Sequence, residues 1–239
     1  MLVLTAMDIL YSAFIKCFSL IINLDPYLIE VTKVTIMLSA LSTLASFIIG
    51  VPAGLFISLS NFYGKRFITA AINAGMGLPP VVVGLAVAIL FGRSGMFGDL
   101  NLLYTKTAIF ISQLIIAIPV ACGLTIAACA EVPESLKLQL DSFGANLFQK
   151  SGYIAREIKK SLLVIAMAAF GSVVSEVGAV IMVGGNILNE TRVLTTAIVS
   201  EVRVGNYDTA LGFAIILLTL TFSVNYAISL LTMQKNKNS

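Results

Sequence analysis

Between Lys33 and Lys65 the chain runs for 31 residues without a charged side chain, and three similar runs follow at residues 67–92, 107–130 and 209–234. A fifth stretch, residues 161–189, is interrupted only by Glu176. About 20 apolar residues in a helix cross the ~30 Å hydrocarbon core of a bilayer. Inside lipid the backbone must bond to itself, which selects helices over open strands. The pattern therefore predicts an all-α membrane protein with five transmembrane helices. Composition excludes the soluble alternative, since 58% of residues are hydrophobic and only 11% charged, against about 25% charged in ordinary soluble domains. So few charges cannot cover a water-facing surface, and so much apolar surface cannot stay disordered.

Residues 1–24 read differently. Thr5, Asp8, Ser12, Lys16, Ser19 and Asn23 recur at steps of three or four, a polar stripe along one side of a helix. The preferred reading is an N-terminal amphipathic helix in the membrane interface, because Asp8 and Lys16 are both costly in lipid. The alternative is a further span with its stripe against the bundle. No basic segment and small-residue cleavage site mark a secretory signal. Asp25-Pro26 then caps and opens the next helix, so residues 25–239 are read as the transmembrane domain.

Lys and Arg placement gives the orientation. With five spans, Lys65, Arg66, Lys137, Lys150, Arg156, Lys159, Lys160, Lys235 and Lys237 share one side, while Lys16, Lys33, Arg93, Lys106, Arg192 and Arg203 share the other. The richer side is expected to be cytoplasmic, which puts the N-terminus outside and the C-terminus inside. Cys17, Cys122 and Cys129 are an odd number, and the last two lie seven residues apart on one expected helix. That spacing is roughly 10 Å of helical rise, beyond the ~7 Å reach of a disulfide, so the cysteines are read as small apolar packers. With no His in the chain, imidazole bases and His-bound metals are excluded. No Walker A pattern, nucleophile elbow or zinc-ligand spacing occurs. The chain is read as a non-enzyme with no metal or cofactor of its own.

Three segments carry the functional reading. The loop 131–160 opens Glu131-Val132-Pro133-Glu134, a helix entry with acids in its first turn. Leu136, Leu140 and Phe143 then share a face, Gly144 is placed to end the helix, and Asn146 with Gln149 forms a capping box for a second short helix. The loop is either a solvated connector or an amphipathic dock for a cytoplasmic partner. In the second span, Pro79-Pro80 removes two backbone donors and disfavours helix before it, so the span should break in mid-membrane. Such a break survives only when buried in protein or lining a cavity; a passive kink and a pathway-lining break are both open. Glu176 is an intramembrane acid, a functional candidate by default, or else a carboxylate bonded to nearby Ser or backbone. Beyond it, Gly184-Gly185-Asn186 and Thr191-Arg192 with Thr195-Thr196 offer neutral donors and one cation suited to an oxyanion.

Gly77-Leu78-Pro79-Pro80-Val81-Val82-Val83-Gly84, with Ser175-Glu176-Val177-Gly178-Ala179 running on to Gly184-Gly185-Asn186, resembles permease subunits of ABC-type oxyanion importers. Thr191-Arg192-Val193-Leu194-Thr195-Thr196 and Gly205-Asn206-Tyr207-Asp208 bring it nearest the tungstate permeases, with the molybdate permeases next. The resemblance implies a type I importer permease (MetI-like) fold in a prokaryotic cell membrane. It further implies a homodimer, a cytoplasmic ABC ATPase that hydrolyses the ATP, and an extracytoplasmic oxyanion-binding protein. Nothing points to a nucleic-acid partner. The implied pathway is lined around Pro79, Pro80, Ser175, Glu176, Thr195 and Thr196. ATPase coupling would fall to Leu136, Leu140, Phe143, Gly144, Ala145 and Ile154. Two departures stand out: Leu138-Gln139-Leu140 replaces the family's Glu-Ala-Ala in the coupling loop, and Glu157 replaces a Pro.

Two other classes compete with a transport subunit. A stand-alone ion-coupled carrier usually carries several acids or a His in mid-membrane, and here Glu176 is the one strong candidate. A membrane-bound enzyme lacks its catalytic constellation.

Overall fold

The computed structural model describes residues 11–12, 14–16, 18–19, 22–23 and 25–234. From Asp25 onward these form ten α-helices: α1 (Pro26–Leu59), α2 (Lys65–Met76), α3 (Pro80–Phe91), α4 (Lys106–Ala130), α5 (Glu134–Ser142), α6 (Leu147–Glu157), α7 (Lys159–Val174), α8 (Gly178–Gly184), α9 (Leu194–Arg203) and α10 (Tyr207–Gln234). A 3-10 turn at Gly98–Leu100 lies between α3 and α4. Among the described residues there is no strand, as the bilayer argument requires.

Helices α1, α4 and α10 are each long and apolar enough to cross a membrane, and the pairs α2 with α3 and α7 with α8 are each either one broken span or a re-entrant loop. Where the charge pattern predicts five spans, the described residues give three to five candidates. Asp25 Oδ1 accepts the Tyr27 and Leu28 amides at 2.9 and 3.2 Å, the cap expected at the start of α1. Of the N-terminal stripe, Thr5 and Asp8 lie outside the described residues. Ser12 is described, and its hydroxyl donates to Asp208 Oδ1 at 2.7 Å.

The described chain divides into two compact units. One joins the residues up to Ser39 with Pro80–Ser112 and Val174–Tyr226; the other joins Ala40–Pro79 with Gln113–Val173 and the residues from Ala227 onward. In the first, Leu28, Val31, Leu194, Ala197 and Phe213 form the core, with Tyr27 edge-on to Phe213 at 5.3 Å between centroids. In the second, Val51, Leu55, Ala121, Cys129, Leu140, Ile154 and Ile165 are buried together. Cys122 and Cys129 are free thiols in its interior.

Lipid is as apolar as leucine, so membrane helices associate through close packing and hydrogen bonds between small and hydroxylated residues. The buried seam of α1 has that composition. Thr35, Ser39, Ser42 and Ser46 are all buried, and Gly50 and Gly54 continue the line at the same spacing. In the second unit Ser42 donates to Gln113 Oε1 at 2.8 Å. A Cβ at Gly54 would sit 2.7 Å from both the Cys122 carbonyl oxygen and Thr125 Cβ, so α1 and α4 approach to a distance that only glycine permits there.

Candidate functional site

The break between α2 and α3 is where the prolines predict it. Residues 77–79 leave the helix and α3 restarts at Pro80, whose missing N–H costs nothing at a first helical position. Pro79 is exposed and belongs to the second unit, whereas Pro80 belongs to the first.

A second break, which no proline announces, separates α7 from α8 at residues 175–177. It is built by Glu176. The side chain is 7% exposed, and Oε1 accepts the Ala179 amide at 2.8 Å, satisfying one of the donors orphaned at the start of α8. The Glu176 carbonyl, freed by the interruption, accepts the Thr195 hydroxyl at 2.9 Å. Ser175 beside it is exposed. Thr196 is fully buried and closes a local turn: its hydroxyl donates to the Val193 carbonyl and accepts the Val193 amide, both at 3.0 Å. Thr195 and Thr196 thus spend their single hydroxyl protons holding the start of α9 and the α7–α8 break.

Within the first unit the helices that follow the two breaks pack together. Helix α3 packs on α8, and a Cβ at Gly84 would fall 2.6 Å from Ala179 Cα. Pro80, Glu176, Thr195 and Thr196 therefore sit in one packed framework.

The Gly184-Gly185-Asn186 and Thr191-Arg192 motifs form a second polar knot there. Gly185 and Asn186 both adopt positive φ (68° and 51°), the backbone region open to Gly and tolerated by Asn. Thr191 donates to the Gly184 carbonyl at 2.5 Å. Arg192 donates through Nε to Asn186 Oδ1 at 3.1 Å, through Nη2 to the Asn186 carbonyl at 3.3 Å, and through Nη1 to the Tyr27 hydroxyl at 2.9 Å. The guanidinium also lies 5.7 Å from the Tyr27 ring centroid. Its bonding partners are all neutral. Tyr27 was not legible as its partner, because 165 positions separate the two and no local period joins them.

The loop 131–160 folds into the two short helices that the motifs predict. Helix α5 spans Glu134–Ser142, Gly144 is left-handed with φ 67°, and the Asn146–Gln149 capping box opens α6. Lys150 pairs with Asp141 and ties the two helices. The structure sorts the expected coupling residues into two layers. Leu140 (8% exposed) and Ile154 (0%) lie in the core of the second unit, with Leu136 and Ala145 packed against that core. Phe143 instead is 86% exposed. It does not share the inward face of Leu136 and Leu140 on which its spacing placed it; Leu138, Phe148 and Tyr153 are also exposed and were missed, because the pattern sought a single apolar stripe.

Among known proteins, the chain matches the family profile of the binding-protein-dependent transport system inner membrane component over residues 50–233. A Haloferax volcanii protein described as a probable anion ABC transporter permease is 38% identical over 83% of this chain and 88% of its own. The tungstate uptake permease TupB of Peptoclostridium acidaminophilum is 33% identical over 93% and 97%. Among solved structures, the inward-facing MetNI methionine ABC transporter aligns with a TM-score of 0.74 at 18% identity, over 89% of this chain and 97% of that one. A bacterial alginate ABC importer aligns at 0.76 and 17%, over 94% and 83%. These last two show the fold, a type I importer permease. By the extent of the profile match and the identity to these relatives, the chain belongs to the binding-protein-dependent transport system inner membrane component family.

Proposed function

We propose that the chain is the membrane subunit of an ATP-driven importer for a tetrahedral oxyanion, with tungstate as the substrate. The observation that carries this reading is the 33% identity to a tungstate uptake permease over nearly the full length of both chains. Molybdate or another anion is the alternative cargo, since such anions share charge and shape. The chain works as a homodimer with the N-terminus outside and the C-terminus in the cytoplasm. Residues 1–24 lie along the interface and residues 25–239 form the transmembrane domain.

The energy comes from a separate cytoplasmic ATPase that seats on loop 131–160; this chain hydrolyses nothing and carries no cofactor. Phe143, with Leu138, Phe148 and Tyr153, makes the contact, while Leu136, Leu140, Ala145 and Ile154 brace it from beneath and Gly144 turns the chain between the two helices. Closure of the ATPase pair draws these loops together and switches the spans from inward-open to outward-open, where an external binding protein delivers the anion. Pro79, Pro80, Ser175, Glu176, Thr195 and Thr196 frame the pathway. Its broken helices interrupt the backbone ladder beside the path, and neutral polar groups there would attract a dianion without trapping it.

The test is uptake by vesicles carrying this chain with its ATPase and binding protein, with tungstate, molybdate and sulfate in competition. Tungstate uptake that requires ATP is the expected result. Preference for molybdate reassigns the cargo, and ATP-independent uptake by the chain alone replaces the importer with an ion-coupled carrier.

A further inference from the structure

We propose that an open cavity of about 450 Å³ at the N-terminal ends of α1 and α4 is a binding site for the headgroup of an anionic phospholipid. The cavity lies wholly in the first unit and is lined by Ile29, Glu30, Lys33, Val34, Met37 and Lys106, together with Pro26. Its depth in the bilayer follows from the sequence. Lys33 is the last charge before the uncharged run 34–64, and Lys106 the last before the run 107–130. Both lysines therefore stand at a membrane edge, and because the fold brings them to one cavity it is the same edge.

The chemistry of the walls selects the occupant. Both lysines are exposed, and among the described residues neither has an ion-pair or hydrogen-bond partner. Lysines at a membrane edge hold their ammonium groups at headgroup level while their stems lie along apolar surface. Glu30 in the same wall leaves the site with one net positive charge, matched to a singly charged phosphodiester and poorly matched to a compact dianion. The remaining wall is aliphatic, with Ile29 and Met37 47% and 38% exposed. A free tetrahedral oxyanion has no use for that flank, whereas the first methylenes of an acyl chain fit it. The site is separate from the proposed pathway and does not depend on the cargo.

Native mass spectrometry of the purified full-length chain tests this, with micelles doped with phosphatidylglycerol or phosphatidylcholine. Wild type should retain phosphatidylglycerol selectively. Lys33→Gln or Lys106→Gln should weaken retention roughly fivefold, and the double variant about 25-fold. Lys33→Arg with Lys106→Arg should keep it, as should the control Lys159→Gln with Lys160→Gln. Equal retention by wild type and the double Gln variant overturns the site. Release of phosphatidylglycerol by millimolar tungstate assigns the cavity to the free oxyanion instead. Retention only by monomers assigns it to a second copy of the chain.

Discussion

The division of the 131–160 loop into a buried and an exposed layer makes a sharp contrast between Ile154→Ala and Phe148→Ala. Ile154 has no exposed surface and shares a core with Leu55, Cys129 and Leu140. Truncating it removes three carbons from a filled interior, at a cost of about 2–5 kcal/mol. For a chain of this size each kcal/mol moves the melting temperature by about 2–4 °C, so Ile154→Ala should melt roughly 4–20 °C below wild type. Phe148 is 88% exposed, and its loss should leave stability within about 0.5 kcal/mol. If that ring is an anchor in the ATPase, its removal should weaken the complex by at least ~2 kcal/mol, about 30-fold. Fluorescence-detected size exclusion after heating measures the first quantity in detergent, and co-purification of the ATPase measures the second. Leu140→Lys would confound them, because it buries a charge in the core as well as altering the loop. Equal thermal loss in the two variants refutes the layering. Unchanged ATPase capture by Phe148→Ala refutes the dock.

Three further outcomes follow from the packing. Gly54→Val places a branched side chain where even a Cβ meets the Cys122 carbonyl at 2.7 Å, and should cost about 1–3 kcal/mol, read as a lower melting temperature. Arg192→Lys keeps the charge but not the fork that holds Asn186 and Tyr27, and should lower stability by roughly 1–3 kcal/mol and slow uptake. Glu176→Gln retains an acceptor for the Ala179 amide and should melt within about 1 kcal/mol of wild type, whereas Glu176→Leu orphans a buried amide at about 1–3 kcal/mol; equal melting of the two would remove the capping role.

What was legible in the sequence were features with a local cause. Charge-free runs give spans, Pro79-Pro80 gives a break, Asn146 with Gln149 gives a cap, and Gly144 gives a stop. The last three act within four residues of themselves, and a charge-free run is continuous along the chain, so each signal survives in one dimension. The break at residues 175–177 was not legible because its cause is divided: a side chain reaches forward to Ala179, and a hydroxyl arrives from Thr195, 19 positions on. The same holds for Arg192 and Tyr27. The loop shows a third limit. A helical face shared by Leu136 and Leu140 says that something apolar covers it, but not whether the cover is this chain or another.

The fate of the charges in the first unit bears on whether an anion can pass. A carboxylate 4 Å from a unit negative charge repels it by about 4 kcal/mol at an effective dielectric of 20, and a dianion by twice that, so an open Glu176 would obstruct the proposed cargo. Glu176 is closed. Its oxygen is turned onto the first turn of α8, where the aligned backbone dipoles favour negative charge. Arg192 receives the opposite treatment: its hydrogen bonds go to an amide, a carbonyl and a phenol, and its link to a carboxylate is relayed through the Tyr27 hydroxyl, which donates to Glu201 at 3.5 Å. The acid is buried and hydrogen-bonded by a backbone amide, while the base has only neutral hydrogen-bond partners among the described residues, and that asymmetry has the sign an anion importer requires. Exchanging it, by Arg192→Gln, should lower the uptake rate more at low ionic strength than at high, since the lost term is a screened one; a deficit independent of salt would mean that Arg192 serves only to tie Asn186 to Tyr27.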